Sequence, residues 1–162
     1  KVPLRLLNSA KKMALNFHPG PPKYPGIGCT NYAIYNNDKT YGVTCHLMTE
    51  KIDDGPIFAV DRFNINKNET LYSLTQRSYK QMYKLYKNIL EKIFRENNLN
   101  ILSKEKWNGK AKSRSEFLKF LELNVNMSNI EIKKRILSTT YPGFEPAYLN
   151  LKGIKFFGKL DD

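Results

Sequence analysis

At 162 residues the chain can bury one hydrophobic core, or a core with a small appendage. Apolar residues make up 41% and aromatics 12%, which excludes a disordered tail, and two cysteines exclude a disulfide scaffold. No apolar run approaches the ~18 residues of a membrane-spanning helix. The net charge of +12, from 27 Lys and Arg against 15 Asp and Glu, fits an anionic partner. It fits equally a coding bias that enriches Lys, Asn and Ile together. Cys29 and Cys45 suit a reducing, cytoplasmic setting.

The chain opens on Lys1-Val2-Pro3, with no initiator Met, and is expected to enter an apolar strand almost at once, as if from the middle of a fold. Residues 13–17 read as a buried strand. The ten residues after His18 hold four prolines and three glycines, a density that only a structured loop tolerates. Residues 29–35 suit a short helix that ends at the Asn36-Asn37-Asp38 turn. Strands are predicted over 41–48 and 56–63, joined by a polar connection that closes on Gly55. Asn68 and Glu69 open the clearest helix: Leu71, Leu74, Met82, Leu85, Ile89, Ile93 and Phe94 recur at three- and four-residue steps, and Asn97-Asn98 stops it. Such a helix should lie across a sheet.

Beyond Leu102 the composition shifts. Residues 103–114 read as a polar, basic linker, and 116–123 as a short helix. Ser128-Asn129-Ile130-Glu131 has the form of a capping box and predicts a helix to about residue 137. The tail reads as a β-hairpin turning near Asn150 to Gly153. This divides the chain into a unit over 1–102 and an appendage over 103–162.

Asn16 and His18 stand two apart at a strand end, so their side chains point the same way. An amide and an imidazole on one side can stabilise an oxyanion. Asp53 follows another strand and could bring a carboxylate to the same place if both strand ends lie at the ligand-binding edge of a parallel sheet. Such a trio suits acyl transfer to an amine. Each residue also has a structural reading: His18 as a strand cap, Asn16 as a partner of loop backbone, Asp53-Asp54-Gly55 as a turn. His18, His46, Cys29 and Cys45 include no close-spaced ligand pair of the zinc type, so no metal is expected. His46 reads as a satisfied strand residue or a neighbour of the site.

Four ordered stretches carry a resemblance. Asn16-Phe17-His18-Pro19, Tyr24-Pro25-Gly26, Gly42-Val43-Thr44-Cys45-His46 and Ile52-Asp53-Asp54-Gly55-Pro56 resemble the signature of the folate-dependent formyltransferases, Asn-x-His followed about 35 residues on by Asp-x-Gly. The proline-glycine loop and the tail Tyr141-Pro142-Gly143-Phe144-Glu145-Pro146-Ala147-Tyr148 look like the branch that acts on nucleotide-linked amino sugars. The resemblance implies an α/β fold: the C-terminal half of a Rossmann-like core, its N-terminal half missing, followed by a small helical and hairpin appendage. A parallel sheet reduced in this way would expose its edges, and the isolated chain is expected to transfer little or no formyl.

It further implies Asn16, His18 and Asp53 as catalytic residues and 10-formyltetrahydrofolate as donor, with no metal. The acceptor would be a dTDP- or UDP-linked 4-amino-4,6-dideoxy sugar of lipopolysaccharide or another surface glycan. Tyr24, Pro25, Gly26, Tyr141, Phe144 and Tyr148 are candidates for substrate binding; Ile52, Asp54 and Gly55 for folate binding. For Tyr141, Phe144 and Tyr148, hairpin packing or a dimer contact is the plainer role. A homodimer through the appendage is expected, with no membrane and no nucleic acid partner. The alternatives are a methionyl-tRNA formyltransferase, where tRNA would be the partner, and an inactive fragment that serves as a binding module.

Overall fold

Two neighbouring stretches, Leu15-Asn16-Phe17-His18 and Val43-Thr44-Cys45-His46, alternate apolar and polar side chains, and that alternation sets the architecture. In the computed structural model, which describes residues 2–96 and 103–160, they belong to strands β1 (Leu15–His18) and β2 (Thr40–Leu47). Strand β3 (Ile57–Asn64) completes a three-stranded sheet in the order β1-β2-β3. Both pairings are antiparallel, with Asn16 opposite His46 and His18 opposite Thr44. The expected parallel arrangement is therefore corrected: among the described residues of this sheet, neighbouring strands run in opposite directions. Residue patterns disclose which face is apolar, not which way a strand runs.

The apolar side chains of Leu15, Phe17, Val43 and Cys45 cluster with Phe58, Leu85 and Ile89. The last two belong to helix α3 (Leu71–Glu96), 26 residues and about 39 Å long at 1.5 Å per residue. It lies across the sheet as its periodicity predicts. It begins two residues later than Asn68-Glu69 suggests, because Thr70 is the cap: its hydroxyl accepts the Ser73 N–H at 3.1 Å, and the Ser73 hydroxyl accepts the Thr70 N–H at 3.0 Å. The predicted stop at Asn97-Asn98 lies outside the described residues. A second cluster, Tyr24, Cys29, Ala33, Tyr41 and Leu74, ties α3 to helix α2 (Cys29–Tyr35) and to the proline-rich loop.

The opening residues form a short helix, α1 (Leu4–Asn8), with no buried side chain, rather than the apolar strand expected there. Residues 103–112 have no helix and pack along the proline-rich loop. Helix α4 (Arg114–Leu121) starts and ends two residues before the predicted 116–123. Ser113 and Glu116 form the reciprocal capping box that sets its start, and Glu122–Leu123 is drawn into strand β4, parallel to β5 (Tyr148–Leu151). At Ser128 only half of the predicted box exists. Its hydroxyl accepts the Glu131 N–H, but the Glu131 carboxylate turns to Arg135 and Tyr35 instead. Helix α5 (Asn129–Thr139) follows, then the hairpin of β5 and β6 (Ile154–Phe157). Its turn, Lys152-Gly153, takes positive φ at both residues, which matches the twist of the flanking strands.

Leu123, Ile136 and Ala147 form a third small cluster, between α5 and the hairpin. Helices α4 and α5 dock on α2: Asn31 Nδ2 donates to the Ser138 carbonyl at 2.8 Å, and the Tyr32 ring lies 5.0 Å from that of Phe120.

Candidate active site

The face of the sheet opposite α3 carries Asn16, His18, Thr44 and His46. Cross-strand partners share a face, so the Asn16–His46 register brings Asn16 Nδ2 to 3.1 Å from His46 Nε2. A β-bulge between Cys45 and His46, where Phe58 is the extra residue of β3, re-aims the strand at that point. Asp53 comes to this face from the β2–β3 connection. Its backbone is left-handed, with φ 46°, a conformation that Asp tolerates better than most residues. That turn folds the connection back over the sheet. The carboxylate therefore reaches the residues of β1 across the face, and not from a shared carboxyl edge of parallel strands.

The two carboxylate oxygens are shared out. Oδ2 accepts the Gly26 N–H at 2.7 Å and lies 3.2 Å from His18 Nδ1. Oδ1 lies 3.3 Å from His46 Nε2 and 3.5 Å from Asn16 Nδ2. Each imidazole is anchored at its other nitrogen: His18 Nε2 to the Tyr24 carbonyl at 2.8 Å, His46 Nδ1 to the Leu47 carbonyl at 2.8 Å. A carbonyl can only accept, so each of these nitrogens carries the proton. His18, His46 and Asp53 are all buried.

Burial is the strongest influence on His18 and pulls its pKa below 6.5, against the Asp53 charge and the Tyr24 carbonyl, which favour the charged ring. For Asp53, burial favours the neutral acid. The close approach of His46, the charge of His18 and the Gly26 N–H outweigh it, and the carboxyl pKa is lowered. An ionised carboxylate beside a neutral imidazole can collect a proton from a nucleophile in the neutral range.

Two hollows open on this cluster from different sides. The larger, about 760 Å³, includes His18, Gly26, Tyr79, Arg114, Tyr141 and Phe144 in its wall. The smaller, about 210 Å³, is bordered by Asn16, His46, Ile52 and Asp53. Most of the candidate residues thus fall at the site, in differing ways. Gly26 gives its N–H, and Tyr141 and Phe144 line the large hollow. Ile52 is half exposed at the rim of the small one. Gly55 gives its carbonyl to Trp107 Nε1 at 2.8 Å.

Other candidates point elsewhere. The Tyr24 ring is buried, with its hydroxyl donating to Asp38 at 2.7 Å, so its carbonyl and not its side chain meets His18. Pro25 holds the Lys112 N–H at 3.0 Å. Asp54 lies 3.8 Å from Lys51, and the Tyr148 ring packs edge-on against Phe157 in the hairpin. Sequence reasoning left His46 undecided and missed Arg114 and Trp107. The resemblance placed His46 inside a quoted stretch, but no spacing signal marked the other two.

The chain matches the Formyl transferase family over residues 2–90, more than half its length, and belongs to that family. Over 159 residues it is 28% identical to the GDP-perosamine N-formyltransferase of Brucella melitensis, covering 96% of this chain and 59% of that protein. It is 30% identical over 160 residues to the methionyl-tRNA formyltransferase of Thermotoga neapolitana, covering 96% and 50%. Among solved structures, a sugar N-formyltransferase from Shewanella sp. superposes with a TM-score of 0.81 at 27% identity, covering 98% of this chain and 64% of that one. The N-formyltransferase of Helicobacter canadensis, in complex with folinic acid and dTDP-3-aminofucose, superposes at 0.66 and 25% identity, covering 87% and 52%. The chain thus spans about half to two thirds of the length of these four proteins. Its mixed α/β fold is that of formyltransferase structures.

Proposed function

We propose that this chain carries the catalytic residues of a sugar N-formyltransferase, which moves a formyl group from 10-formyltetrahydrofolate to the amine of a nucleotide-linked 4-amino-4,6-dideoxy sugar. The observation that carries the reading is the Asp53 carboxylate, 3.2 Å from His18 and on the same sheet face as Asn16, with His18 in the wall of one hollow and Asn16 and Asp53 in the wall of the other. The sugar amine attacks the formyl carbon and a C–N bond forms. Asn16 stabilises the tetrahedral oxyanion with its amide N–H, and His18 joins it once its Nδ1, which faces Asp53, has received a proton. The Asn16 N–H held by Asp53 only at 3.5 Å is the one free to turn to that oxygen. Asp53 takes the amine proton, directly or through water, and returns it to N10 as the C–N10 bond breaks. The products are the N-formyl sugar and tetrahydrofolate.

The large hollow is the acceptor side. Tyr141 and Phe144 offer faces for a base, and Arg114, with no ion pair among the described residues, offers a guanidinium for the diphosphate. The small hollow beside Ile52 and Asp53 is the folate side. The nucleotide is dTDP or UDP in this reading, and the GDP sugar named for the Brucella relative adds a third nucleotide to compare. A homodimer forms through the hairpin, whose Leu151, Ile154, Phe156 and Phe157 are exposed. The enzyme works in the cytoplasm on surface-glycan precursors.

The test is incubation with 10-formyltetrahydrofolate and a panel of dTDP-, UDP- and GDP-linked amino sugars, with tetrahydrofolate release and product mass as readouts. Formylation of charged methionyl-tRNA with no sugar turnover would establish the second reading, which the Thermotoga relative and the +12 charge favour.

A further inference from the structure

The chain contains one tryptophan and two histidines, and the tryptophan touches both histidines. The Trp107 ring stands edge-on to His46 at 5.1 Å and to His18 at 5.8 Å between centroids. Its Nε1–H donates to the Gly55 carbonyl, two residues past Asp53. Trp107 is itself held by a strap, residues 103–112, fastened by backbone hydrogen bonds at both ends. The Ser103 N–H donates to Ile57 in β3, the Asn108 N–H to Pro22 and the Lys112 N–H to Pro25, while the Ile27 N–H donates back to Lys112. Between these, Gly109 presses so closely on the Lys23 backbone that a Cβ there would meet the Lys23 carbonyl carbon at 2.8 Å. The strap therefore holds both the ring that covers the histidines and the loop whose Gly26 N–H holds Asp53.

We propose that Trp107 is a positioning residue of the formyl-transfer site, fixing the two imidazoles by edge packing and the Asp53 turn through Gly55. The role rests on the reading of this cluster as the reaction centre, although the contacts themselves can be tested without substrate. An indole edge fills the space that water would take beside the rings, and its N–H fixes the turn from the other side. Either loss shifts a donor by a fraction of an ångström, enough to misalign a transfer reaction. The groups that face His18 are Asp53, His46 and the Tyr24 carbonyl. Those that face His46 are Asp53, Asn16 and the Leu47 carbonyl.

Intrinsic fluorescence reads the contact directly, because a protonated imidazole quenches an adjacent indole and a neutral one does not. Emission of the unsubstituted chain should fall as pH drops from 8 to 4, and His18→Gln should remove much of that fall. A pH-independent emission, or a fall that survives His18→Gln undiminished, overturns the proposal. Histidine resonances then report position. Trp107→Ala should move the His18 titration midpoint up toward 6.5, whereas Trp107→Phe, which keeps the edge and loses the N–H, should leave it near its original place. Unmoved midpoints in a folded Trp107→Ala chain also overturn it. If that variant does not fold, the unsubstituted fluorescence titration and Trp107→Phe decide. In a transferring enzyme, kcat should drop on the order of 10- to 100-fold in Trp107→Ala with KM within about twofold. Neither spectroscopic measurement needs turnover, so failure to find a substrate leaves them standing.

Discussion

Asp53 Oδ2 lies 3.2 Å from His18 Nδ1 and accepts the Gly26 N–H at 2.7 Å, so one oxygen couples a strand, a turn and the proline-rich loop. The carboxylate is thus both a reacting group and a structural tie.

Replacing it separates the two roles. Asp53→Asn keeps the shape and an acceptor for Gly26 but cannot take a proton, and formyl transfer should fall by about 10²- to 10⁴-fold with the melting temperature little changed. Asp53→Ala leaves the Gly26 N–H and the Asn16 amide without their acceptor, and should cost about 1–3 kcal/mol in denaturant unfolding. Equal stability of the two variants would contradict the tie.

The protonation states make stability fall with acid. His18 titrates below 6.5 in the folded chain, so between its ordinary and its folded pKa the unfolded chain binds the extra proton. Stability declines as pH drops through that interval. Asp53 is lowered below 3.8, and its contribution, present above that value, is lost as pH falls through its folded pKa. Urea midpoints from pH 8 to 3 should decline in two stages, and His18→Gln should remove the upper one.

Gly26 adopts φ 84°, and a Cβ there would meet the Lys112 backbone nitrogen at 2.6 Å. Gly26→Ala should therefore strain the turn and push the strap away, at a cost of roughly 1–3 kcal/mol. Hydrogen exchange should rise at Ile27 and Lys112, whose N–H groups bond across this contact.

Arg114→Ala and Phe144→Ala should weaken binding of the free nucleoside diphosphate, by roughly 10- to 100-fold for the arginine, since it removes a charge-assisted contact worth about 1.5–3 kcal/mol. Folinic acid binding should be unaffected. Calorimetry with each ligand separately checks this, and equal loss of both ligands would place the arginine elsewhere.

The elements were legible where side-chain period is strong. The alternation of 15–18 and 43–46 and the three- and four-residue steps of α3 each placed an element within about two residues, since burial of one face admits few registers. Strand direction was not legible, because an antiparallel and a parallel strand can bury the same residues. Nor did the Ser-x-x-Glu pattern distinguish the full box at Ser113 from the half box at Ser128, where Arg135 and Tyr35 compete for Glu131. The approach of Asn16, His18 and Asp53 followed from the quoted stretches. Trp107 did not, because an isolated aromatic in a basic, unpatterned segment looks like surface until the strap is folded down.

The bulge between Cys45 and His46 leaves Phe58 and Ala59, neighbours in sequence, both in the cluster beneath α3, with Ile57 opposite His46. Shortening β3 by that single residue would keep its apolar composition yet exchange inner and outer sides for everything on one flank of the cut. Length at this point is therefore as strongly constrained as residue identity, and natural variation here should consist of substitutions without deletions.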